Sequence, residues 1–494
     1  MRSKIADADD ATPLVLDGSS LTVDEVIAIL PGNVSLSVPE EALRALDDVR
    51  SRLLSARSSG RVYGANTGVG ANRTMAVGAG PGREDERAAH ARRLLLSHCV
   101  GAGPLEDDST VRAAMVIRLN QFLAGGSGIS STVARGLLEA LASGSIATIH
   151  RLGNLGTGDL AGLAELALTL SGDRPWRSGG IAPVTFADSD SLPFLSSSAL
   201  TLAAGCQGVD ALKHLLEGVL VVASLSILAL EGSPQPYAEA VHGAIQRPHQ
   251  AGVAAAIRRL LGPDGVAEPA RLQDPFAVRA LPQVHAPALD AAERLRTLLE
   301  GELNGSAENP LVTTDGVLHH GQFHLAMMAA VLDATRTGLY PVISLSAARL
   351  SHLFRPELSH LPPFLAAGAP GSSGLMITEY VAQDVLSTLR TAAAPVSGAG
   401  VSVSLGLEEH ASFAAQAARL LRDMTADAPV VVALEAIAAV RALRMAPGRL
   451  GGGPAREAFE YLAAGLDPDM GDRPIDADLE RALALLPGLG RFLG

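Results

Sequence analysis

Lysine is nearly missing from this chain of 494 residues: only Lys4 and Lys213 occur, and arginine carries the rest of the positive charge. Enzymes that use pyridoxal phosphate need a lysine for the Schiff base. Lys4 sits in a polar lead, and Lys213 lies in a helical pattern with no phosphate-binding loop nearby, so that cofactor is not expected. Gly-Lys-Ser/Thr is absent, which removes a nucleotide-binding P-loop. Cysteine is as scarce. Cys99 and Cys206 form neither a disulfide framework nor a CxxC metal site, and the expected setting is the reducing cytoplasm. A net charge of -13 argues against nucleic acid as a partner, because phosphate binding wants a basic face. No metal-ligand spacing is visible. Met1 to Asp10 lacks the apolar core of a signal peptide. The longest nearly uncharged apolar run, between Glu217 and Glu231, is short for a bilayer, so no membrane partner is expected.

What the chain does have is apolar helix formers. It is 48% hydrophobic but only 3% aromatic, so its core is built mainly of Ala, Leu and Val, which favours close-packed helices. Two short helices are expected over Ser20–Ile29 and from Pro39 to Leu54, then others over about 84–99, 108–123 and 131–142. A Gly-rich loop fills 61–75, and a second runs from Ile149 to Gly158 ahead of a helix from Asp159 to Leu170. The region 174–195 is punctuated by Pro and Gly and reads as a short hairpin. Long apolar or amphipathic segments follow at 199–230, 249–261, 284–303, 319–353, 374–391 and 407–446. This predicts a mainly α protein with a long central helical bundle, divided into residues 1–198 and 199–494.

Several short motifs carry possible chemistry, each with a bland alternative. Gly156-Thr157-Gly158 sets a hydroxyl between two glycines at a helix start; the plain reading is a loop with Asp159 as N-cap. Tyr63, in Val62-Tyr63-Gly64-Ala65-Asn66-Thr67-Gly68-Val69-Gly70, reads as a general base or as an aromatic plug under a turn. Ser97-His98, Gln273-Asp274-Pro275-Phe276-Ala277-Val278-Arg279 and Glu408-Glu409-His410 supply further polar groups, and Arg279 has the fork geometry to clamp a carboxylate. Taken singly, each favours the bland reading.

In this order, however, the motifs resemble one family, the aromatic amino acid ammonia-lyases: histidine, phenylalanine and tyrosine ammonia-lyases and the related aminomutases. The resemblance spans roughly residues 13 to 445. It also takes in Asn304, Asn309-Pro310, Gln322-Phe323-His324 and Leu361-Pro362-Pro363-Phe364. It implies a fumarase/aspartase-like homotetramer with active sites shared between subunits and an amino-acid-like substrate. No external cofactor is implied. Instead an internal Ala-Ser-Gly cyclises and dehydrates to 4-methylideneimidazole-5-one (MIO), an electrophile for the substrate amine. Carried onto this chain, the resemblance makes Tyr63 the base and Arg279 the carboxylate anchor. His98, Ser196, Gln273, Phe276, Phe323 and Glu408 would line the substrate pocket. Ser97-His98 looks more like the histidine enzymes, which implies an imidazole or another polar ring.

The chain also departs from the family. Ala-Ser-Gly is replaced by Gly156-Thr157-Gly158. Cyclisation needs only the nitrogen of Gly158 and the carbonyl of Gly156, but dehydration of Thr157 would leave a methyl on the carbon that a nucleophile must reach. The expectation is therefore against an active prosthetic group. Ser196 stands for the family's Asn, Phe276 for its second Tyr, Gln322 for Asn, Leu407 for Gln and Glu409 for Asp, whereas Tyr63, Arg279 and Glu408 are kept. Three readings follow: a lyase or aminomutase with an atypical electrophile; the same fold using Tyr63 for another elimination, isomerisation or cyclisation; and a catalytically silent tetramer that serves as a binding partner.

Overall fold

The computed structural model describes residues 13–32, 34–78, 82–263, 265–266 and 268–494. The polar lead with Lys4 lies outside them. The protein is mainly α, 61% helical. Strands occur among the described residues only as two-stranded pairs. Contacts divide the chain into two compact units. Of the described residues, the first takes those up to 207, 296–330 and 396–419, and the second takes those from 208 to 295, 331–395 and 420–494. A single cut after residue 198 assigns 296–330 and 396–419 to the second half, whereas they pack with the first unit.

In the first unit, helix starts follow their caps. Thr22 and Glu25 form a reciprocal capping box at Val23–Ile29. Asp107 accepts from the Thr110 N–H at Asp108–Leu123, and Ser130 from the Val133 N–H at Ser131–Ala142. Asp108–Leu123 and Leu160–Leu170 are buried almost all round, and the polar side chains they enclose, Arg118, Asn120 and Gln121 in the first and Glu165 in the second, are hydrogen-bonded inside the protein. The 174–195 region is not a hairpin. Trp176–Ser178 pairs antiparallel with Ile146–Ala147, and Ser191–Leu195 is a helix. A true hairpin joins Leu311–Thr313 to Gly316–Leu318 in register Val312↔Val317.

Two buried charges hold the segment that carries Ser196. Asp190 accepts from the Ala187 N–H, the Ser130 N–H and the Ser130 hydroxyl, at 2.8, 3.0 and 2.9 Å. Arg118 is fully buried; it donates to Phe194 O at 3.1 Å, to Pro193 O and to Glu308 Oε1 at 2.8 Å. One guanidinium thus fixes the short helix before Ser196 and the residue before Asn309. Since an unpaired buried charge is costly, the arrangement is stable only with all these partners in place.

The second unit has one large apolar core, drawn from Ala199–Ala229, Pro248–Leu261, Leu281–Leu303, Ala326–Leu353 and Ala414–Met445 among others. Its buried polar centre is Glu435, paired to Arg349 at 2.6 and 2.9 Å and accepting from the hydroxyls of Ser226 and Ser346. Among the described residues one helical stretch, Ser191–Ala229, made of the helices Ser191–Leu195 and Ala199–Ala229, is long and apolar enough to cross a membrane, longer than the sequence alone indicated. Its most apolar window is 78% buried inside the protein, as befits a core helix.

Candidate active site

The first unit contains a hollow of about 2120 Å³, measured out to open solvent. Six of the expected site residues line it: Tyr63, His98, Thr157, Ser196, Phe323 and Glu408.

The tyrosine loop is shaped by Asn66. Its side chain accepts from the Val62 N–H at 2.7 Å and donates to Gly60 O and Arg57 O at 2.8 and 3.1 Å. The loop curls until the Tyr63 hydroxyl accepts from the Gly70 N–H at 2.7 Å. Burial pushes the Tyr63 phenol above its ordinary value; the Gly70 N–H opposes this, Glu408 adds to the rise and Arg73 counters it. The loop is clasped to residues 403–408 through the Ala71 N–H, which donates to Ser404 Oγ at 3.0 Å. Ser404 and Leu405 there have φ of +54° and +56°, a left-handed conformation unusual for side chains with a Cβ.

Gly156 and Gly158 have φ of +81° and +106°. The Gly156 carbonyl accepts from the Ser412 hydroxyl at 2.7 Å and the Leu325 N–H at 3.2 Å. The Phe413 N–H donates to Leu155 O at 2.8 Å, and the Gln416 amide to Asn154 O at 2.9 Å. The Gly-Thr-Gly turn is thus gripped by a segment more than 250 residues further along the chain. Asp159 does not cap the following helix with its side chain. Its carboxylate accepts instead from the N–H and hydroxyl of Thr201, both at 2.8 Å, and burial raises its pKa to about 6.

The remaining pocket groups are polar and aromatic. Ser196 Oγ accepts from the Asn309 N–H at 3.2 Å. His98 Nδ1 lies 2.8 Å from Leu94 O, which fixes the proton on Nδ1 and leaves Nε2 as an acceptor in the neutral ring. His319, His324 and His410 also line the hollow, with His324 Nε2 2.9 Å from His410 Nδ1 and His319 Nε2 accepting from the Tyr63 N–H at 3.2 Å. Of these, the sequence offers only His410, beside Glu408, as a polar site group; it does not select His319 and His324. The only signal for those two was their place within or beside the Gln322-Phe323-His324 segment.

Gln273, Phe276 and Arg279 belong to the second unit and do not line this hollow. Phe276 is 67% exposed and Gln273 is exposed. The Arg279 guanidinium lies 4.6 Å from the centre of the Phe276 ring, and its Nε is buried without a hydrogen-bond partner.

The profile of the family described as "Aromatic amino acid lyase" matches residues 21–463. The chain belongs to that family. It is 32% identical to a histidine ammonia-lyase of Streptomyces coelicolor, over 96% of each chain. The fold matches a tyrosine aminomutase from Streptomyces globisporus with a TM-score of 0.89 and 26% identity, covering 98% of both chains. It also matches a histidine ammonia-lyase from Trypanosoma cruzi with a TM-score of 0.87 and 25% identity, covering 98% of this chain and 95% of that one.

Proposed function

We propose that the protein is a carbon–nitrogen lyase, an amino acid ammonia-lyase or aminomutase, whose substrate carries a polar or aromatic, histidine-like side chain. One observation carries the reading: a single hollow in the first unit gathers Tyr63, His98, Thr157, Ser196, Phe323 and Glu408 from distant parts of the chain. Membership of the family supplies the reaction class.

Tyr63 is the base that removes the β-proton. With its phenol raised by burial, it needs added positive charge to act near neutral pH. That charge is assigned to Arg279 of a second copy. Arg279 carries an unpartnered nitrogen beside an exposed Phe276, and it lies outside the hollow of its own chain. A homotetramer in which the 273–279 segment completes another subunit's pocket would bring in Gln273, Phe276 and the guanidinium that holds the substrate carboxylate. His98, an acceptor through Nε2, and Glu408 suit the N–H groups of an imidazole or another polar ring; Phe323 packs the ring face and Ser196 lies toward the turn. Against the expectation set by the extra methyl of Thr157, the Gly156-Thr157-Gly158 turn fits the family's MIO-type group in two respects: a β-hydroxyl residue between two glycines of positive φ, and a carbonyl already held by two donors. Such a group supplies an electrophilic carbon for the substrate amine. The two cysteines, neither of them in a disulfide, suit the cytoplasm as the setting.

The test is ammonia release or β-amino acid formation from L-histidine and a panel of aromatic amino acids. Tyr63→Phe should lower turnover by about 10²–10⁴-fold with an unchanged unfolding midpoint. Full turnover in that variant would refute the base assignment, and inertness of the wild type toward the whole panel would refute the reaction class.

A further inference from the structure

We propose that Ser412 and the Leu325 N–H form an oxyanion site for the Gly156 carbonyl and thereby drive closure of the Gly156-Thr157-Gly158 turn into a ring. The inference rests on the lyase reading above and goes beyond it by naming the groups that make the electrophile.

Amide nitrogens are poor nucleophiles and amide carbonyls poor acceptors, so closure needs help at the oxygen. The Gly156 oxygen receives it from two directions. The Ser412 hydroxyl donates at 2.7 Å and the Leu325 N–H at 3.2 Å. Ser412 is 2% exposed, so water does not compete for that hydroxyl. Its Oγ is oriented in turn, because it accepts from the Ala414 N–H at 3.3 Å. Thr157 remains half-buried at the hollow, where an eliminated hydroxyl can leave to solvent.

The atoms balance as follows. The Gly158 nitrogen bonds to the Gly156 carbonyl carbon, and the former carbonyl oxygen gathers negative charge facing the two donors. That oxygen takes up the Gly158 N–H proton, and the resulting hydroxyl leaves with the Thr157 N–H proton as the first water, forming a carbon–nitrogen double bond. Thr157 then loses its α-hydrogen and its β-hydroxyl as the second water. No oxidant or other reactant is consumed. The product is the MIO-type ring with a methyl on its exocyclic carbon.

The experiment is mass spectrometry of the proteolytic peptide that contains residues 156–158, taken at intervals after cell-free synthesis of the full chain. The wild-type peptide should lose two waters. Ser412→Ala should lose them about 10²–10³-fold more slowly, the cost of removing one oxyanion donor. Ser412→Thr, which keeps a hydroxyl, should restore the loss. Gln416→Ala removes the neighbouring tie to Asn154 O but leaves the Gly156 oxygen untouched, and it should lose both waters at the wild-type rate. Water loss in Ser412→Ala at the wild-type rate would overturn the inference and leave the lyase reading standing. Equal slowing in Gln416→Ala and Ser412→Ala would overturn it as well, because Ser412 would then act only by holding the loop. A wild-type peptide of full mass would also overturn it; ammonia release by that same preparation would show that the lyase reading survives without the ring.

Discussion

Gly156→Ala would restore the first residue of the family's Ala-Ser-Gly, yet the structure predicts that it damages this chain. Gly156 has φ of +81°, where a Cβ costs about 1–2 kcal/mol. A Cβ built there would lie 2.1 Å from Ser412 Oγ and 2.7 Å from the Ala414 nitrogen. The second neighbour is backbone, so relief requires moving the start of the helix Ala414–Met445, an overpacking cost of about 1–3 kcal/mol. The sum is about 2–5 kcal/mol, to be read from urea unfolding at fixed protein concentration. A double-mutant cycle identifies the source. In a Ser412→Ala background the nearest clashing atom is gone, and Gly156→Ala should cost at least ~1 kcal/mol less. A single variant within about 0.5 kcal/mol of wild type would refute the reasoning, as would a cycle with no coupling.

Two further perturbations test buried polar groups. Arg118→Met leaves Glu308 unpaired and frees the carbonyls of Pro193 and Phe194; it should cost about 3–5 kcal/mol in the same assay, and a neutral result would show that the site segment does not depend on this guanidinium. His285 is fully buried with both ring nitrogens unpartnered, and burial, reinforced by Arg349, lowers its pKa from 6.5 to about 3. The unfolded chain therefore takes up a proton that the folded chain refuses. The stability tied to this neutral ring is full above about pH 6.5 and drains as pH falls toward 3. His285→Leu should accordingly spare roughly 2 kcal/mol of the loss between pH 6.5 and 5; an identical pH dependence in wild type and variant would refute the assignment.

The helices were legible where local chemistry marks their ends. Asp107 and Ser130 stop and start the chain at the places their side chains cap, so 108–123 and 131–142 match Asp108–Leu123 and Ser131–Ala142. The expected segments 319–353 and 407–446 begin too early: the helices start at Ala326 and Ala414. Apolar residues continue through Phe323, Leu325, Leu405 and Leu407, but those stretches fold as site loops, and periodicity does not separate the two uses. The false hairpin at 174–195 failed for a different reason, since the partner of Trp176–Ser178 lies some thirty residues earlier, at Ile146–Ala147. Asp159 looked like an N-cap, yet its carboxylate serves Thr201 on another helix, a contact invisible to local rules. Motif order pointed to the residues around the hollow. Ser404 and Ser412 left no mark in the sequence, because each acts through a hydrogen bond with a distant backbone group.

The grip on the Gly156 carbonyl also sets a timetable for biosynthesis. Its two donors belong to residues 325 and 412, made long after the turn itself. A growing chain halted before Ser412 holds the Gly-Thr-Gly sequence without the hydroxyl that fixes its shape. The turn therefore reaches its native geometry only when most of the protein has been translated and folded back upon it, and a truncated product cannot present that geometry at all.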